Sequence, residues 1–221
     1  MNIQDIKEKI PSGLYEILSK EISELRPAQE KSINQGLLDG KNLLVCTPTA
    51  SGKTLIAELA CLKTILEHKG KAVYIVPLKA LASEKFNDFK KRYGSIIKVA
   101  LSIGDIDSAD NYLADYDLII CTSEKLDSLI RHHSPWISQI NVIAVDEIHM
   151  LNDTERGPTL EIIITILRQL LKKLQIIGLS ATIGNPEELA EWLDANLVID
   201  NWRPVKLMKG IYLEGEVEFF E

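Results

Sequence analysis

The chain has 221 residues, 46% of them hydrophobic, which is enough to bury a full core as one large domain or a domain with an appendage. No apolar run approaches the roughly eighteen residues of a membrane span, and Met1 to Ile10 is too charged for a signal peptide, so a soluble, intracellular protein is expected. The net charge of −7 argues against a protein that coats nucleic acid by bulk electrostatics, while leaving room for a local basic track.

Ile3 to Leu25 reads as two short amphipathic helices broken at Pro11-Ser12-Gly13, an appendage to the core. Arg26-Pro27-Ala28-Gln29 opens another helix, with Pro27 suited to its first turn and Ile33 and Leu37 at helical spacing, until Asp39-Gly40 ends it. An apolar strand, Asn42 to Cys46, precedes a loop of small residues. From Thr54 a helix runs through Leu55, Leu59, Leu62, Ile65 and Leu66 and closes at Lys69-Gly70. Strand Ala72 to Val76, a Pro77-Leu78 turn and helix Lys79 to Tyr93 follow, and the basic residues Lys79, Lys85, Lys90, Lys91 and Arg92 on that helix read as a solvated face. The cycle continues with strands Ile97 to Ile103 and Leu118 to Cys121, helix Ser123 to His132, strand Val142 to Val145, helix Thr159 to Lys173, strand Ile176 to Leu179, helix Pro186 to Leu193 and a short strand Leu197 to Ile199. Buried strands alternating with amphipathic helices predict an α/β fold with a mostly parallel sheet flanked by helices, whose ligands sit outside the carboxyl ends of the strands. Asn201 to Glu221 reads as a connector. Cys46, Cys61 and Cys121 read as small buried hydrophobes.

The distinctive polar residues fall at that carboxyl edge. Thr47-Pro48-Thr49-Ala50-Ser51-Gly52-Lys53-Thr54 lies at a strand-to-helix turn, where unsatisfied N–H groups and the helix dipole favour an anion. Gly52 allows close approach to a phosphate, Lys53 adds a point charge, and Thr54 offers a hydroxyl to Mg²⁺. The pattern G-x-x-x-x-G-K-[ST] is met at its last three positions, with Thr47 in place of the first glycine; taken alone, Gly-Lys-Thr is also an ordinary helix start. After Val145 comes Asp146-Glu147-Ile148-His149. A carboxylate there suits Mg²⁺ and its neighbour an attacking water; alone, the pair is equally a helix N-cap with a first-turn acid. Ser180-Ala181-Thr182 places two hydroxyls at a further strand end, within reach of His149.

In that order these three stretches resemble the first three motifs of the superfamily 2 helicases, in which a Thr or Ala replaces the missing glycine. Val76-Pro77-Leu78-Lys79-Ala80-Leu81, Ser102-Ile103-Gly104-Asp105, Thr122-Ser123-Glu124-Lys125, Arg156-Gly157-Pro158-Thr159-Leu160-Glu161 and Asn185 to Leu193 resemble the archaeal Hjm-type, Ski-two-like DNA repair helicases, a branch that also holds RNA helicases. The resemblance implies a three-layer RecA-like P-loop NTPase fold over residues 26–200, a helical appendage over 1–25, and a connector over 201–221 toward a second RecA-like domain of the full-length chain. It implies ATP and Mg²⁺ as cofactors. Gln29 would read the adenine edge, residues 47–54 would hold the nucleotide, Lys53 the phosphates, Thr54 and Asp146 the metal and Glu147 the water. His149, Ser180, Ala181 and Thr182 would link hydrolysis to movement. Lys79, Ala80, Gly104, Thr122, Ser123, Lys125 and Arg156 would follow the backbone of a bound strand.

The implied protein is a monomeric, cytoplasmic, nucleoid-associated archaeal helicase acting on single-stranded or forked DNA in repair and recombination, with no membrane role. This chain would be half of its motor, lacking the arginines that a second domain brings to the terminal phosphate. An RNA helicase half of the same branch and a nucleotide-gated binding module with little turnover are the alternatives; a small-molecule kinase would need an acceptor lid that the sequence does not suggest.

Overall fold

In the computed structural model, which describes residues 1–104, 110–206, 208–213 and 215–220, the chain starts with a 3-10 helix, Ile3–Lys9, and helix α1 (Ser12–Glu21). Helix α2 (Pro27–Asn34) and a 3-10 turn, Leu37–Asp39, lead into β1 (Leu43–Cys46) and α3 (Lys53–Leu66). Then come β2 (Lys71–Val76), α4 (Lys79–Tyr93), β3 (Val99–Ser102), β4 (Leu118–Thr122) and α5 (Ser123–Arg131). They are followed by β5 (Ile140–Val145), a 3-10 turn Ile148–Asn152, α6 (Gly157–Leu170), β6 (Gln175–Ser180), α7 (Pro186–Leu193) and β7 (Asn196–Ile199). A hairpin, β8 (Lys209–Leu213) and β9 (Glu216–Phe220), closes the described chain.

The first seven strands form one parallel sheet in the order β3-β4-β2-β5-β6-β1-β7. Successive strand side chains point to opposite faces, and both faces are covered. Leu43 and Val45 of β1 with Ala72, Tyr74 and Val76 of β2 join a core under α3 and α4, while Leu44 and Cys46 with Val73 and Ile75 join one under α5, α6 and α7. Ile3, Ile6, Ile10, Leu14 and Leu18 belong to the first of these cores, so the N-terminal helices are welded to the α4 side of the sheet. The result is a RecA-like α/β fold.

Several boundaries differ from those read in the sequence. Leu37 does not continue the helix opened at Pro27: Gly36 takes a left-handed conformation (φ 92°), which a helix interior does not admit, and Leu37 starts a separate turn that still buries its side chain. Helix α6 begins two residues before Thr159, with Pro158 in its first turn, and it stops at Leu170 before Lys172 and Lys173. The tail read as an irregular connector carries the β8–β9 hairpin around Gly215 (φ 93°), and its alternation is masked by apolar residues on both faces, among them Ile211, Tyr212 and Val217, all exposed. Asp105 and residues 207, 214 and 221 of the expected connector lie outside the described residues.

Candidate nucleotide site and nucleic-acid groove

Strands β5, β6 and β1 are adjacent and parallel, so the residues that follow them meet at one edge. Beyond β1 the loop from Thr47 to Gly52 turns into α3. Gly52, at φ 92°, has room for no side chain: a Cβ would lie 2.5 Å from Gln29 Nε2 and 3.0 Å from Arg26 Cδ. Thr47 takes the place of the expected glycine usefully. Its hydroxyl lies 2.7 Å from that of Ser51, with both residues buried, and so pins the loop from inside. Pro48 is buried beneath the loop, while Thr49 and Ala50 stand exposed at its tip, Ala50 in a left-handed conformation (φ 64°).

The start of α2 clamps this loop from the other side. Arg26 Nη1 donates to the Ala50 carbonyl at 2.7 Å and Gln29 Nε2 to the Gly52 carbonyl at 3.0 Å, while Gln29 Oε1 accepts from the Arg26 N–H at 2.8 Å. Gln29 is therefore at the loop, 4% exposed, with each end of its amide already engaged. An adenine edge would meet only its second N–H and second lone pair. Arg26, whose guanidinium also lies over the Trp202 ring at 5.5 Å, had no signal in the sequence beyond preceding a proline.

Lys53 Nζ donates to the Ser180 carbonyl at 2.9 Å, and that carbonyl also accepts from the Thr47 N–H at 3.2 Å, which ties the loop to the end of β6. Asp146 follows β5. Its Oδ2 accepts from the Tyr74 hydroxyl at 3.1 Å and lies 4.0 Å from Lys85 Nζ, and its Oδ1 accepts from the Glu147 N–H at 3.2 Å. Lys85 Nζ in turn donates to Thr54 Oγ1 at 3.0 Å. Glu147 sits in a left-handed conformation (φ 52°), a strained position for a side chain of this size. His149 Nδ1 lies 3.4 Å from both Glu147 Oε2 and Ser180 Oγ, so the turn after β5 is bridged to β6 through this imidazole. Ala181 and Thr182 follow in the loop, Thr182 exposed.

Tyr74 and Lys85 escaped sequence reading for opposite reasons. Tyr74 is a fully buried member of an apolar strand, and its phenol is held well above its usual range by burial and then by Asp146, so it stays a neutral donor. Lys85 belonged to a charge run read as a solvated helix face. That reading fails for two of its members: Lys85 turns inward to Thr54, and Arg92 pairs with the buried Glu58 at 2.7 Å.

A cation fits between Thr54 and Asp146, because the Lys85 ammonium already lies there. Mg²⁺ needs few protein ligands, one hydroxyl and one carboxylate being enough when phosphates and water supply the rest. No cluster of three or more His, Cys, Asp or Glu suited to a metal occurs among the described residues, so the site lacks an all-protein cage.

On the other side of β5, the ends of β2, β3 and β4 surround a groove of about 460 Å³. Lys79, Ala80, Gly104, Thr122, Lys125 and Arg156 line it. Lys79 and Ala80 are exposed at the start of α4, and a Cβ on Gly104 would meet nothing within 4 Å. Lys125 departs from the expected phosphate contact: it is 2% exposed and its ammonium is paired with Asp110 at 3.0 Å, which makes it part of the wall. Thr122 caps α5, accepting from the Lys125 N–H at 3.4 Å. Ser123 is buried behind the groove, against a narrow space that Asp146 and Arg156 also border. Arg156 Nη1 donates to the Pro77 carbonyl at 2.9 Å, and its side chain borders both the groove and the narrow space beside Asp146.

A glycine-terminated loop opening a helix, with a lysine, a hydroxyl and a neighbouring strand-end carboxylate, defines a P-loop nucleotide-binding domain. Residues 26–189 match the DEAD/DEAH box helicase family, and the chain belongs to it. It is 55% identical over 213 residues to the ATP-dependent DNA helicase Hel308 of Pyrococcus abyssi, covering 96% of this chain and 29% of that protein. The Hel308 of Pyrococcus horikoshii is 53% identical over 218 residues, covering 98% of this chain and 30% of the relative. The crystal structure of the DUF1998 helicase MrfA bound to DNA and AMPPNP superposes with a TM-score of 0.74 at 31% identity, over 88% of this chain and 30% of that one. The chain thus spans about 29–30% of the length of these curated relatives. No helix among the described residues is long and apolar enough to cross a membrane.

Proposed function

We propose that residues 26–200 form the ATP-binding domain of a DNA helicase motor, with 1–25 as a helical appendage and 201–221 leading toward a second RecA-like domain. The observation that carries this reading is the meeting of three strand ends, where Lys53 reaches Ser180, His149 reaches Ser180 and Glu147, and Thr54 and Asp146 face one cation. The nucleotide's phosphates would lie on the α3 N-terminus, where they gain backbone N–H donors and the helix field. Lys53 would leave the Ser180 carbonyl for them, and Thr54 and Asp146 would hold Mg²⁺, which supplies positive charge to the phosphates. Glu147 would orient the attacking water, its left-handed backbone turning the carboxylate off the β5 axis. His149, with Ser180, Ala181 and Thr182 at the end of β6, would pass the state of the terminal phosphate on to the next element. The groove at the ends of β2, β3 and β4 would take the backbone of single-stranded or forked DNA, in keeping with the names of the Hel308 relatives. A cytoplasmic, nucleoid-associated monomer acting in repair follows from the same reading.

Nucleotide binding by this chain is the direct test. Lys53→Ala is expected to weaken ADP and ATP binding at least tenfold, and an unchanged affinity would overturn the phosphate assignment. Competition between single-stranded DNA and RNA of the same sequence for the chain tells the DNA reading from an RNA one.

A further inference from the structure

We propose that Lys85 is a resident cation of the nucleotide site, holding Thr54 and Asp146 in place when no metal is bound and giving way when a metal nucleotide enters. This rests on the reading of Thr54 and Asp146 as metal ligands. The Lys85 side chain is 18% exposed, and its ammonium lies 3.0 Å from Thr54 Oγ1 and 4.0 Å from Asp146 Oδ2. Those two oxygens belong to different elements, the start of α3 and the end of β5, and no backbone hydrogen bond joins them directly. Core packing sets the distance between α3 and β5, and the Lys85 ammonium, within 4.0 Å of both oxygens, links the two side chains themselves.

The other neighbours of Asp146 cannot do this. Tyr74 donates to Oδ2 at 3.1 Å but carries no charge, and the Glu147 N–H at Oδ1 belongs to the next residue in the chain. Lys85 also feels the field of the nearby Glu58 carboxylate, but the hydrogen bonds to Glu58 Oε2 come from Arg92 and Tyr93, each at 2.7 Å, and the hydrogen bond of Lys85 goes to Thr54. An ammonium is a compact point charge on a flexible stem, so it can fill a metal's place and also leave it. It offers half the charge of a divalent ion and three donors instead of an octahedral shell, and a metal nucleotide therefore displaces it. Lys85 also shares α4 with Lys79, whose end of the helix lines the groove.

The consequence is specific to metal dependence. With Lys85 present, a nucleotide without metal finds a positive charge beside Thr54 and Asp146 in addition to that of Lys53; without Lys85 only Lys53 remains, and a metal nucleotide no longer has an ammonium to displace. The experiment measures the affinity of this chain for a fluorescent ADP analogue with Mg²⁺ and with chelator, and takes the ratio of the two. Lys85→Met is expected to raise that ratio by about fivefold, the scale of a part-exposed charge interaction, while Lys85→Arg keeps it near the parent value. Because both affinities come from the same variant, a general loss of stability cancels. A Lys85→Met ratio equal to that of the parent, or affinity lost equally in both conditions, overturns the proposal. Asp146→Asn separates this from the underlying reading: it should bring the ratio toward one, and a full metal dependence in that variant would mean that Asp146 is not a metal ligand, whatever Lys85 does.

Discussion

At the scale of single residues, the chemistry of the site sits on positions whose backbone or burial is costly. Glu147 occupies a left-handed conformation that an Asn or Gly takes more easily. Glu147→Asn is therefore expected to raise the stability of the chain by about 0.5 kcal/mol in thermal unfolding, and in a complete motor to reduce ATP hydrolysis by about a hundredfold or more while ADP still binds. A fall in stability would deny the strain; retained turnover would deny the role. The cysteines make a second residue-level case. Burial pushes the thiol of Cys46 up to about 11 and those of Cys61 and Cys121 to about 12, from an ordinary 9.0. A raised folded-state pKa means that the folded chain holds these protons more tightly than the unfolded one. Their contribution is thus complete below pH 9 and is lost as pH rises through about 11 to 12. Stability measured in denaturant should fall over that window, less steeply in a Cys61→Ala, Cys121→Ala variant, and a thiol reagent at pH 8 should label the native chain far more slowly than the unfolded one. The burial of these thiols was legible in the sequence, since each lies in an apolar run. The bend at Glu147 was not, because a strand-end Asp-Glu pair says nothing about φ.

At the scale of elements, the strands and helices around the sheet could be read from alternating apolar runs, and the limits of that reading have physical causes. A period of 3.6 carries Leu37 into the helix begun at Pro27, and the left-handed Gly36 that follows the cap breaks it, a local stop that apolar periodicity does not register. The charge run on α4 hid two inward residues because periodicity sorts residues by polarity, and Lys and Arg can carry polarity inward when a carboxylate or hydroxyl waits there. Arg92 is the clearest example. It bridges the buried Glu58 on α3 and Glu21 at the end of α1, at 2.7 Å each, and Tyr93 donates to Glu58 as well. Burial raises the Glu58 carboxyl despite these partners, so the charge there is expensive. Arg92→Met leaves that carboxylate without its counter-ion and is expected to destabilise the chain by about 3 kcal/mol. Adding Glu58→Gln should restore at least half of the loss, because the amide still accepts from Tyr93 and has no charge to desolvate. If the double variant is as unstable as the sum of the singles, the pair is not coupled as the geometry requires.

At the scale of the whole molecule, Arg156 connects the groove to the neighbourhood of the nucleotide site: it lines the groove, holds the Pro77 carbonyl at 2.9 Å and borders a narrow space that Asp146 also borders. Among the groove residues named from the sequence, Lys79 and Arg156 are the cations offered to solvent, Lys125 being paired with Asp110. Two phosphate contacts on a chain of net charge −7 predict weak single-strand binding with a log–log salt slope of about −1.4. The two residues should then behave differently. Lys79 stands exposed at the open end of α4, so Lys79→Ala should lower DNA affinity and reduce the salt slope by about 0.7 without altering how nucleotide and DNA affect each other. Arg156 lines the groove and shares a narrow space with Asp146, so Arg156→Ala should lower DNA affinity and also bring the ratio of DNA affinities with and without Mg-ADP toward one. Linkage makes that ratio equal to the effect of DNA on nucleotide affinity, and titrations run from either side must agree. Equal losses of coupling in both variants would place the connection in the groove's charge as a whole, whereas a loss confined to Arg156→Ala places it in the contact that joins the end of β2 to the start of α6.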